Sequence, residues 1–178
     1  VNENTSPNPQ QERSIRRLAC EKQWIDTKLP IQILRLPGIY GPGRSAFESL
    51  LNGTTKMIDK PGQVFSRIHV DDIAGSVLFL INLFFQGRTP SVVNIADNLP
   101  ANNLDVLNFA AKIAKKSLPS TVAFEIAQKT MSPMALSFWQ ENRKVDNELL
   151  CKKLGYSLIY PDFKSGLKSC FSQLKINL

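Results

Sequence analysis

Ser66, His69 and Asp71 bring the residue types of a hydrolytic triad close together in the sequence. Their spacing argues against that chemistry. Ser66 and His69 are three apart on an expected strand, where side chains alternate between faces, so hydroxyl and imidazole point opposite ways. His69 is also the sole histidine, which speaks against a histidine-built metal site. Asp71 reads better as a helix cap. No residue is therefore assigned a catalytic role, and no metal is expected. Arg13 and Arg17 are four apart and share one face of an expected helix. They form either a clamp for an anion or a solvated basic face beside Arg16 and Lys22, and the second reading is favoured because exposed helix charges are mostly solvation. Cys20, Cys151 and Cys170 have neither metal nor redox spacing. They read as free thiols in a reducing compartment, which makes a cytoplasmic location the expectation. Phe138, Trp139 and Phe163 are expected in the core rather than as stacking platforms.

The elements that must position these residues alternate between helix and strand. Asn8-Pro9-Gln10-Gln11 predicts a capped helix start, with Ile15, Leu18, Ala19 and Ile25 as its apolar stripe. Ile31 to Leu36 predicts a strand apolar on both faces, as in a covered parallel sheet. Pro37 to Gly43 follows as a glycine-rich loop, and Ser45 with Glu48 forms a capping box for a short helix ending near Asn52-Gly53. A strand over Val64 to Val70 leads into a buried helix from Asp71 or Asp72 to about Phe85. Val92 to Ala96 predicts another strand, and Asn103 caps a helix to about Lys116. Helical stretches are expected over Pro133 to Asn142, Asp146 to Leu154 and Asp162 to Leu174. This order indicates an α/β architecture.

Composition narrows the class. The 178 residues suit one domain, with 43% hydrophobic and 21% charged residues. The longest apolar run, Ile73 to Phe85, is broken by Gly75, Ser76 and Asn82 and is too short to span a bilayer. Val1 to Arg17 does not read as a signal peptide. The net charge of +7 is spread along helices without interleaved aromatics, so nucleic acid is disfavoured and an anionic small molecule such as a nucleotide is the better beneficiary.

Four segments resemble the extended short-chain dehydrogenases/reductases of the NAD-dependent epimerase/dehydratase family. Leu34 to Gly43 is similar to the family's R-x-x-x-Y/V-G-P-G strand and loop. Ser66 to Ala74 is similar to its IHVDDIA segment, and Val93 to Asp97 to its YNIADD strand. Asn147 to Gly155, Tyr160-Pro161-Asp162 and Gly166-Leu167 resemble its closing region. The run Lys60 to Ser66 points to an atypical, bacterial-type branch.

The resemblance implies the C-terminal part of a Rossmann-like doubly wound parallel sheet plus a small helical substrate-binding lobe. Residues 1–178 would form a single partial domain, and the dinucleotide-binding half that precedes it in the family is expected to lie outside them. The first residue, Val1, likewise suggests a chain that was cut or processed. Leu36, Pro37, Gly38 and Ile39 would contact NAD or NADP, although Pro37 and Gly38 also serve simply to end a strand and turn the chain. Arg44, Arg67, His69 and Arg143 would contact a nucleotide or nucleotide-sugar-like substrate. The family's Tyr-x-x-x-Lys falls on Arg13 and Arg17. Arginine stays protonated and cannot exchange the proton that the tyrosine would. The implied function is therefore part of an NAD(P)-binding protein acting by transient hydride transfer on a sugar-nucleotide-like substrate, and the alternative is a non-catalytic nucleotide-binding or regulatory module on the same fold. An open edge on the Ile31 to Leu36 strand would favour a homo-oligomer.

Overall fold

The structure, a computed structural model, describes residues 1–176. The first helix, α1 (Glu12–Asp26), starts after Gln11 without a side-chain cap. The expected box at Asn8 and Gln11 does not form. Asn8 instead accepts from the Gln10 amide at 2.7 Å, while the Gln11 amide donates to the Ser137 carbonyl at 3.1 Å. The next segment splits in two. Strands β1 (Ile33–Arg35) and β2 (Gly38–Tyr40) are separated by Leu36-Pro37. Proline has no N–H for a ladder, so the strand breaks there. What the sequence suggested as a glycine-rich loop resumes as strand because a parallel neighbour is available.

The capping box of Ser45 and Glu48 does start α2 (Ala46–Leu51), the Phe47 N–H donating to Ser45 Oγ at 3.2 Å. Strand β3 (Ile58–Asp59) is too short to announce itself by periodicity. Strand β4 (Arg67–His69) runs into α3 (Val70–Phe85), whose cap is His69: its Nδ1 accepts from the Asp71 N–H at 3.2 Å. The expected aspartate cap is displaced by the imidazole one turn position earlier. After β5 (Val92–Asn94), Asn102 rather than Asn103 caps α4 (Asn103–Ala114), accepting from Asp105 N–H at 2.7 Å. Strand β6 (Val122–Ala123), the short α5 (Phe124–Ala127) and α6 (Pro133–Gln140), capped by Ser132, follow. Leu149–Lys153 is a π-helical turn, not the helix expected there, and α7 (Phe163–Ile176) closes the chain.

The result is α/β with parallel strands. β1 pairs with β5 (Leu34 opposite Val93), β2 with β4 (Ile39 opposite Ile68) and β3 with β6. The segment after β5 changes partner: Ile95 N–H donates to Arg35 at 3.0 Å, then Asp97 N–H donates to Arg67 at 2.8 Å. This shift carries Asp97 beside β4. On the far side of β5, the Asn94 N–H donates to the Glu3 carboxylate at 2.8 Å. The far side of β1 has no strand partner among the described residues.

Two cores result. Ile68, Leu80, Leu83, Val93, Ile95 and Leu150 pack the sheet against α3 and the π turn. Tyr40, Phe47, Leu50, Val106, Ala110, Phe163, Leu167 and Cys170 join α2, α4 and α7. The second core needs a glycine. A Cβ at Gly166 would lie 2.1 Å from the Tyr40 hydroxyl and 2.8 Å from its ring, so α7 reaches β2 only without a side chain there. Among the described residues no helix is long and apolar enough to cross a membrane.

Candidate functional site

Tyr40 at the carboxyl end of β2 and Arg67 at the start of β4 border a cavity of about 510 Å³, a size typical of small-molecule sites. Val106 and Leu107 of α4 and Phe163 and Leu167 of α7 give it an apolar floor. Its charge comes from the other side. Arg44 follows β2, Lys56 lies between α2 and β3, and Arg67 stands on β4, against the single carboxylate of Glu48. That carboxylate is already committed to the Ser45 backbone N–H and, at 2.8 Å, to the Ser45 hydroxyl. The cavity therefore presents an excess of positive charge over an apolar floor.

Arg67 is held rather than free. Its Nη1 donates to the carbonyls of Phe65 and Ala101, both at 2.9 Å. Burial draws its pKa down, and Asp97 opposes this; a guanidinium nonetheless remains a cation. Asp97 is 1% exposed. Its Oδ1 accepts from the Leu99 N–H at 3.1 Å, and its Oδ2 has no partner. Burial pushes this carboxyl up to about 7, opposed by the Leu99 hydrogen bond and Arg67 and reinforced by Asp162 and Asp72. Burial likewise raises Tyr40, which lines the cavity, with Asp97 the next contributor.

Of the residues the resemblance implied for substrate contact, Arg44 and Arg67 line the cavity, and His69 and Arg143 do not. His69 is fully buried. Its Nε2 lies 3.7 Å from the Cys170 sulfur, and its ring meets Tyr40 edge-on at 5.2 Å and Tyr160 at 4.2 Å. It caps α3 and is not among the residues lining the cavity. Burial lowers the His69 pKa and raises Cys170 to about 11, which keeps both neutral. Arg143 pairs with Glu141 and does not line the cavity. Ser66 is tied up at a distance from His69: its hydroxyl accepts from the Val145 N–H at 2.9 Å. Phe163 is core as expected, but Phe138 is exposed, with the Arg13 guanidinium 5.5 Å above its ring.

Sequence reasoning missed three residues. Lys56 lies in an irregular segment with no pattern to mark it. Asp97 stood out only as the last residue of the Val93 to Asp97 segment. Asp72 reads in sequence only as a possible start of the helix, yet it is fully buried and accepts from the Ile159 and Tyr160 N–H groups at 2.7 and 2.9 Å, fastening the segment before α7 to α3. The paired aspartates following His69 were the available signal, since one solvated cap does not explain two.

Leu36, Gly38 and Ile39 are exposed, Pro37 is half-buried, and none of the four lines the cavity. They offer an apolar wall at a strand end. A G-x-x-G-x-x-G turn, the seat for a dinucleotide pyrophosphate, does not occur in the sequence. Arg13 and Arg17 are exposed on α1. The residues of this chain do not by themselves fit a dinucleotide, and no hydride step is derived through one.

Fold and site together define an α/β protein with parallel strands and a cationic small-molecule cavity. A functionally unknown conserved protein from Silicibacter pomeroyi superimposes with a TM-score of 0.88 at 39% identity, over 97% of this chain and 60% of that one. A provisional NAD-dependent epimerase/dehydratase from Methylobacillus flagellatus gives 0.72 at 25% identity, over 97% and 57%. MoeE5, solved with UDP-glucuronic acid and NAD, gives 0.77 at 17% identity, over 100% and 60%; at that identity it shows the fold alone. No family model and no curated protein matches the chain. The chain is a structural match to the NAD-dependent epimerase/dehydratase family, the extended short-chain dehydrogenases/reductases. It spans about 60% of the length of these solved structures.

Proposed function

We propose that the chain is the substrate-binding part of an NAD(P)-dependent, epimerase/dehydratase-like protein that takes a nucleotide-sugar-like molecule in the cavity. The observation that carries this reading is the convergence of Arg44, Lys56 and Arg67 on one cavity with an apolar floor. Such a site suits a diphosphate flanked by less polar groups: guanidinium groups match phosphate oxygens geometrically, and a lysine adds a point charge. The part these residues play is to bind and orient. The relative solved with UDP-glucuronic acid and NAD supports both ligand classes, as does the position of Leu36 to Ile39 at the carboxyl end of a parallel strand. NAD versus NADP stays open in this reading, and a cytoplasmic location belongs to it.

A second reading, a non-catalytic nucleotide-binding or regulatory module, is favoured by Arg13 and Arg17. They occupy the positions implied for the tyrosine and lysine, and neither supplies an acid or base at neutral pH.

The test is calorimetric titration of UDP-glucuronic acid into the chain at low salt. Saturable binding is expected, weakened about tenfold or more in Arg44→Ala and in Arg67→Met, as for loss of a charge-assisted contact. Heats indistinguishable between wild type and both variants would remove the cavity from the reading.

A further inference from the structure

The cavity's most unusual neighbour is a carboxylate that touches no ligand space. Asp97 is 1% exposed, its Oδ1 accepts from Leu99, and its Oδ2 has no partner. A buried, unpaired carboxylate oxygen is costly unless it is protonated or faces a cation. The charged and titratable groups acting on it come from each surrounding element. Arg67 on β4 favours the ionised form, while Asp72 on α3 and Asp162 before α7 disfavour it. Tyr40 on β2 is kept neutral by its own burial.

Arg67 does not neutralise Asp97 directly. Its Nη1 is held by the carbonyls of Phe65 and Ala101, and among the described residues no ion pair joins it to Asp97. Arg67 lines the cavity while Asp97 does not, and the two residues are joined through the backbone, with Asp97 N–H donating to Arg67 O at 2.8 Å. One cation therefore serves two sides.

We propose that Asp97 is a positioning residue coupled to the cavity by proton uptake, so that an anionic diphosphate seated against Arg67 draws a proton from solvent onto Asp97. This rests on the reading of the cavity given above. The physical reason is competition for one field. With the cavity free of anion, Arg67 offsets part of the cost of the ionised carboxylate. A diphosphate cancels that field and adds negative charge, so the neutral acid becomes the favoured form. Asp97 sits near neutrality before binding, so the coupling acts at ordinary pH. By linkage, a ligand that raises the pKa of a group binds best below that pKa. Affinity then falls as pH rises above about 7, by at most tenfold per pH unit for one proton.

The experiment is titration of UDP-glucuronic acid, whose diphosphate has no ionisation near neutrality, into the chain at pH 7 in two buffers of different ionisation enthalpy. Wild type is expected to take up a fraction of a proton on binding, as for a group partly ionised beforehand. Asp97→Asn is expected to bind with no uptake and with affinity independent of pH from about 6 to 8. Carboxyl carbon NMR of wild type gives the same answer without a variant, through an upward move of the Asp97 midpoint on adding the ligand. Binding without proton uptake, or equal uptake in Asp97→Asn, overturns the coupling and leaves the cavity reading standing. No binding at any pH overturns both.

Discussion

Helices α1 and α7 are nearly equal in length, 15 and 14 residues, and both carry an apolar stripe. α7 buries Phe163, Leu167 and Cys170 and lets Gly166 rest on Tyr40. α1 buries none of its residues, and Ile15, Trp24 and Ile25 are each more than two-fifths exposed. Its tie to the sheet is polar: the Arg35 guanidinium holds the Glu21 carboxylate at 2.7 Å. An amphipathic pattern thus says that a helix has a face to cover, and says nothing of whether the cover lies in the same chain. Leu36 and Ile39 are exposed as well, and β1 has a strand partner on one side only among the described residues, whereas α7, α4 and α2 line the cavity.

The sharpest way to break this comparison is to cut a large aromatic side chain from each of the two helices. Phe163→Ala is expected to cost about 4 kcal/mol, as for a large side chain removed from a packed core. Trp24→Ala should cost less than about 0.5 kcal/mol at concentrations low enough to keep the chain monomeric, as for a surface position. Denaturant midpoints at constant slope measure both. Equal losses would mean that α1 is covered in solution.

A smaller effect separates the cavity side by pH. The Asp97 carboxyl sits at about 7 against an ordinary 3.8, so the folded state holds its proton more tightly than the unfolded chain does. Its contribution is fully present below the ordinary value and is lost as pH rises through the window to about 7. Over that window wild type should lose roughly 3 kcal/mol from this group, somewhat under the full difference in proton affinity because the surroundings relax. Asp97→Asn keeps the acceptor for Leu99 and should lack this slope. Parallel curves of stability against pH for the two proteins would show that the carboxyl is solvated after all.

The smallest effect tests the open face directly. An apolar patch beside an unpaired strand favours self-association, and the chain is expected to form oligomers through β1 and α1. Ile39→Glu or Trp24→Glu should weaken association about tenfold, near 1.4 kcal/mol. Sedimentation across a concentration series reads this. A wild-type monomer throughout would show that the face needs no second copy.

Local chemistry was legible where a residue acts on its own backbone. The capping box of Ser45 and Glu48, the existence of the Ile33 and Val92 strands and the core role of Phe163 all follow from pattern and propensity. Arg44 and Arg67 came from the resemblance, and the fold places both in the cavity. The misses share one cause. His69 and Asp72 owe their roles to segments far along the chain, Cys170 and the Ile159–Tyr160 backbone, and no local spacing encodes those contacts. The Gly38 to Tyr40 strand was hidden because its partner, β4, supplies the reason for extension.

The sequence by itself determined the alternation of helix and strand, the capping box at Ser45 and the break at Pro37, because these depend on residues within a turn or two of one another. The tertiary structure decided which charges share a cavity and which carboxylate is left without a partner. Asp97 became a near-neutral buried acid only when the chain after β5 crossed from β1 to β4 and set it beside Arg67. A proton affinity depends on the solvent and charges within a few ångströms, and those neighbours are chosen by packing rather than by sequence order.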